Sequence, residues 1–118
     1  MNKENKIVDN EDIDYVEDDD VKVLLVKGAN ASKDSVVRLA RAIMVSLQQH
    51  SYADLQAIAP PAINRLMKAY IKSKSMFQDY ANGYGLVMQA SYTKTEINGN
   101  LTTAIRARIF SVPNAYIR

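Results

Sequence analysis

The chain has 118 residues, the length of one domain, and 47% of them are apolar. No run approaches the ~20 apolar residues of a membrane span, and the opening MNKENKIVDN lacks the apolar core of a secretory signal. With no cysteine and one histidine, His50, the chain excludes disulfide scaffolds, zinc fingers, iron–sulfur clusters, thiol catalysis and multi-histidine metal sites. A small binding module, a structural subunit or a small metal-free enzyme is left, and a cytoplasmic location is expected.

The net charge of +2 conceals a division. Residues 1–20 hold two lysines against nine acidic residues, a net of −7, so the rest of the chain carries +9. The first segment has few apolar residues and ends in Glu17-Asp18-Asp19-Asp20. It is expected to be a disordered acidic tail, because it cannot bury enough surface to offset its ordering entropy. A basic body behind it suggests a polyanion partner.

Val21–Lys27 (VKVLLVK), rich in β-branched residues, reads as a buried strand. Gly28–Ser32 is a loop that ends on a candidate N-cap, Ser32, with Asp34 in the first turn of the helix it would cap. Val36, Ala40, Ile43 and Leu47 recur at helical spacing, which predicts a helix over 33–49. Asp54–Ala59 reads as a second strand, and Pro61 suits the first turn of a second helix. Ile63, Leu66, Met67, Tyr70 and Ile71 are that helix's apolar stripe, fading between Lys74 and Phe77. Gln78–Gly85 reads as a loop.

The last third reads as a hairpin around Asn98-Gly99, the strongest short-range signal for such a turn. A two-residue turn there sets Met88 opposite Ile109, Ala90 opposite Ala107 and Tyr92 opposite Ile105 on the core face. Gln89 with Arg108, and Ser91 with Arg106, then share the other face. Pro113 ends the strand, and 113–118 reads as a frayed tail. The order β-α-β-α-β-β implies an α+β two-layer sandwich, with two helices on one face of a four-stranded mixed sheet.

These strings, in this order, resemble the stage V sporulation protein S family, which has the Alba-like fold. The resemblance rests on Val23-Leu24-Leu25-Val26, Ser35-Val36, Leu55-Gln56-Ala57-Ile58, Ala62-Ile63-Asn64, Lys68-Ala69, Ile97-Asn98-Gly99 and Thr103-Ala104-Ile105-Arg106. It covers residues 21–112. It implies a non-catalytic, homodimeric nucleic-acid-binding domain without a cofactor. The contacts it implies are Lys27, Asn30 and Lys33 after the first strand, Asn64, Arg65 and Lys68 in the second helix, and Lys94, Arg106 and Arg108 on the hairpin. Three departures stand out: Ala59-Pro60-Pro61-Ala62 replaces a small glycine-containing stretch, the loop at 78–85 is longer, and the acidic tail is an addition.

Lysines and arginines of this kind neutralise phosphates and release counterions, so binding to DNA or RNA through the backbone, with little sequence readout, is expected. The acidic tail would modulate it, either as a mimic of nucleic acid over the basic face or as a solubilising segment. The rival reading is a protein-assembly module whose basic face meets an acidic partner. No nucleophile–base arrangement or phosphate loop is present in the sequence, so no enzyme is expected.

Overall fold

The computed structural model describes residues 7–10, 13–18, 21–27 and 33–117. In chain order these form β1 (Ile7–Asn10), β2 (Ile13–Asp18), β3 (Val21–Leu25), α1 (Lys33–His50), β4 (Tyr52–Ala57), α2 (Pro60–Tyr80), β5 (Tyr84–Ile97), β6 (Asn100–Pro113) and a 3-10 turn (Asn114–Tyr116). The strand order across the sheet is β1-β2-β3-β4-β6-β5. The expected four-stranded mixed sheet is β3-β4-β6-β5, with β3 and β4 parallel and the other pairs antiparallel. Both helices pack on one face of it, which gives the two-layer α+β arrangement.

The core lies between the helices and that face. Leu39, Ala40, Ile43 and Leu47 from α1, with Leu66, Ala69 and Phe77 from α2, meet Leu24, Ala53, Leu55, Ala57, Leu86, Ala107 and Ile109. The side chains alternate along β4: Ala53, Leu55 and Ala57 join this core, and Asp54 and Gln56 occupy the opposite face.

The hairpin register is the expected one, with Met88 opposite Ile109, Gln89 opposite Arg108 and Ser91 opposite Arg106. Asn98 and Gly99 both take positive φ, 52° and 82°, which matches strand twist in a two-residue turn.

Four expectations are corrected. Within residues 1–20, expected to be disordered, Ile7–Asn10 and Ile13–Asp18 are strands, with Tyr15 opposite Leu24 and Val16 opposite Val23, and the remainder of that expectation lies outside the described residues. The open edge of β3 supplies backbone partners that the composition of a 20-residue window does not reveal, and Ile7, Val8, Ile13, Tyr15 and Val16 have strand propensity. α2 runs on to Tyr80, because Phe77 is buried and extends the core contact one turn further. Tyr92 is 80% exposed instead of core, and Ala90 on the same face is exposed with it, because β5 is the edge strand of the sheet and no described element covers it there. Asn114–Ile117 is docked: the Asn114 N–H donates to Gly83 O at 2.9 Å, and a Cβ on Gly85 would meet Ile117 at 2.6 Å. Gly85 therefore makes room for the end of the chain.

Ser51 links α1 to β4 in the left-handed region (φ 71°), and its N–H donates to Leu47 O at 2.9 Å. That conformation costs an L-residue roughly 1–2 kcal/mol, and glycine's extra unfolded-state freedom gives back about half of the gain. Ser51→Gly should therefore raise the melting temperature by roughly 2–4 °C in calorimetry.

Candidate nucleic-acid interface

Topology gathers several of the expected contacts at one end of the sheet. β3 and β4 run parallel and finish together, so α1 and α2 both begin at that end. Ala57, the last residue of β4, lies opposite Ile105 of β6. Asn100–Ala104 and their β5 partners Thr93–Ile97 therefore project beyond β4 as an arm, about 17 Å long at the usual strand rise. Lys27 is exposed after β3, and Asn64 and Lys68 are exposed on the early turns of α2. Lys94 is exposed on the arm, where its Nζ donates to Thr103 Oγ1 at 2.7 Å. Lys33 is the first residue of α1. Asn30 lies outside the described residues.

Arg65 has a different place from its neighbours in sequence. It is 6% exposed, on the side of α2 that faces α1 and β3. Its Nη1 donates to Lys27 O at 2.8 Å and its Nη2 to Ser35 O at 3.0 Å. The guanidinium thus fastens the end of β3 and the start of α1 to α2. In this position it holds the backbone on which Lys27 and Lys33 are carried. A charged residue at a helix position off the apolar stripe carries no sequence signal for this, because only the fold brings the two carbonyls within reach.

Arg106 and Arg108 lie on the other face of the sheet, away from the helices. Asp54 is 4% exposed, and Arg108 grips it through Nε–Oδ1 at 2.7 Å and Nη2–Oδ2 at 2.8 Å. This charge-assisted fork, led by the hydrogen bond to Asp54, holds the Arg108 guanidinium above its ordinary pKa. The same guanidinium lies 4.1 Å from the centroid of the Tyr52 ring, in cation–π contact. Arg106 donates from Nε and Nη2 to Gln56 Oε1 at 3.3 and 2.9 Å. The charge of Arg108 is therefore balanced locally. Among the described residues the partner of Arg106 is a neutral amide and not a carboxylate. Sequence reading credits both arginines equally, because Asp54 is 54 residues away in the chain.

Of the acidic segment, the described strands β1 and β2 lie on the far side of β3 from these arginines. β2 pairs with the far edge of β3, two strands short of β6, a separation of about 14 Å at the usual strand spacing.

A family model described as stage V sporulation protein S (SpoVS) matches residues 16–112. The chain belongs to the stage V sporulation protein S family. The matched span begins inside β2 and ends at Val112, so it takes in β3, both helices and nearly all of the hairpin. β1 and the closing 3-10 turn lie outside the SpoVS match. A search of curated proteins finds no match. Among the described residues no helix is long and apolar enough to cross a membrane, and no group of His, Asp or Glu is placed to hold a metal ion.

Proposed function

We propose that this protein is a non-catalytic, homodimeric nucleic-acid binder that works mainly through backbone contacts at the arm end of the sheet. The observation that carries the reading is the convergence there of Lys27, Lys33, Asn64, Lys68 and Lys94 with the N-termini of both helices. Helix N-termini and lysines favour phosphates together. Homodimer formation is supported by apolar residues that α2 leaves at the surface, Met67 and Ile71, 38% and 61% exposed. Tyr92 and Leu101, 80% and 73% exposed, continue apolar surface onto the arm. The acidic strands act on binding through their field, which salt screens beyond about 8 Å at physiological ionic strength.

The test is fluorescence anisotropy of the full chain with labelled duplex and single-stranded probes across a salt series, with sedimentation velocity on the same preparation. Lys68→Ala with Lys94→Ala should weaken binding and reduce the salt slope by about 2 on duplex DNA. Salt-insensitive self-association with no binding to DNA or RNA would replace this reading with a protein-assembly role.

A further inference from the structure

The sheet face opposite the helices carries three cross-strand rows between β4 and β6: Tyr52 with Phe110, Asp54 with Arg108, and Gln56 with Arg106. Successive rows on one face are two residues apart, about 6.7 Å. No helix among the described elements covers them. Tyr52, Phe110 and Arg106 are each partly exposed, and the Arg108 side chain is 47% exposed. On the neighbouring strand β5, Gln89 and Ser91 stand opposite Arg108 and Arg106 and are exposed.

The chemistry of the rows is graded. At one end are two aromatic rings. In the middle is a guanidinium whose plane is fixed by Asp54 and backed by Tyr52. Its charge is balanced, so what it presents outward is a flat, weakly hydrated π surface with N–H groups at its rim. At the far end the Arg106 guanidinium is held by the neutral amide of Gln56. Flat surfaces beside a cation match a chain of unpaired bases with a phosphate between them. A duplex fits poorly here, because its base faces are already occupied by stacking. An acidic peptide would use the charge of Arg106 but not the ring faces.

We propose that this helix-free face binds an unpaired stretch of nucleic acid, with bases stacking at Tyr52, Phe110 and Arg108 and a phosphate at Arg106. The inference rests on the nucleic-acid reading above and gives it a second surface, distinct from the lysines of the arm end.

The experiment measures binding of the full chain to a labelled oligothymidine of about 12 nucleotides, within the site sizes of stacking binders, and to a duplex of equal length. Phe110→Leu keeps apolar bulk but removes the ring, and it should weaken single-strand affinity about 10-fold. Arg106→Gln should lower the single-strand salt slope by about 0.7. Phe110→Leu should leave duplex affinity unchanged, and Arg106→Gln should lower duplex affinity less than single-strand affinity. Photocrosslinking of a 5-iodouracil oligonucleotide to the native protein should label Tyr52 or Phe110, a readout that does not depend on how the variants fold. Crosslinks confined to the arm, with single-strand affinity unchanged in both variants, would overturn this site. In that case loss of binding in Lys68→Ala with Lys94→Ala would leave the broader reading standing. Absence of binding to either probe by the native chain would remove both.

Discussion

Replacing Arg108 with alanine should lower the unfolding free energy by about 2–3 kcal/mol, seen as a fall in melting temperature of roughly 10–20 °C for a domain of this size. The cause lies in Asp54, whose side chain is 5% exposed and whose two oxygens both accept from Arg108. Truncation would leave a buried carboxylate without its cation. The Arg108 side chain is 47% exposed, so water can enter after truncation, and the cost falls below the ~3–5 kcal/mol of a fully buried pair. Adding Asp54→Asn to Arg108→Ala should recover part of the loss, because the uncompensated charge is then gone. Thermal unfolding of the two single variants and the double variant checks this as a cycle. Additive losses would mean that the two side chains are not energetically coupled.

Arg65→Ala should cost about 2–4 kcal/mol in urea unfolding. It leaves the carbonyls of Lys27 and Ser35 without these donors and opens a void under a side chain that is 6% exposed. Arg65→Lys should restore less than half of the loss, since an ammonium cannot reproduce a planar fork to two separated oxygens. Where the protein remains folded, both variants should also weaken nucleic-acid binding beyond the loss of one charge. They loosen the backbone that places Lys27 and Lys33.

The fold was largely legible because its signals are local. The Asn98-Gly99 turn, with alternating residues on either side, set every pair of the β5–β6 ladder. The spacing of Val36, Ala40, Ile43 and Leu47 placed α1 to within a residue. The missed features depend on contacts distant in sequence. β1 and β2 form against an edge that exists only once β3 is in the sheet. Met67 and Ile71 satisfy the helical period, yet both are exposed. The part of the α2 surface that is covered is set by where β5 ends up, and the period alone does not give that. For the candidate site, burial of Arg65 and neutralisation of Arg108 both rest on partners at least 30 positions away. Lys68 and Lys94 kept the exposed places expected of them.

β4 sits between β3 and β6 and is hydrogen-bonded to both. During synthesis its second neighbour emerges only after β3, β4 and both helices, since β6 spans Asn100–Pro113. A nascent chain stalled before residue 100 therefore holds β3, β4 and both helices with one side of the middle strand bare. Such an edge invites pairing with other chains. Fragments that end before the hairpin closes should accordingly collect in the insoluble fraction to a greater extent than chains that include β6.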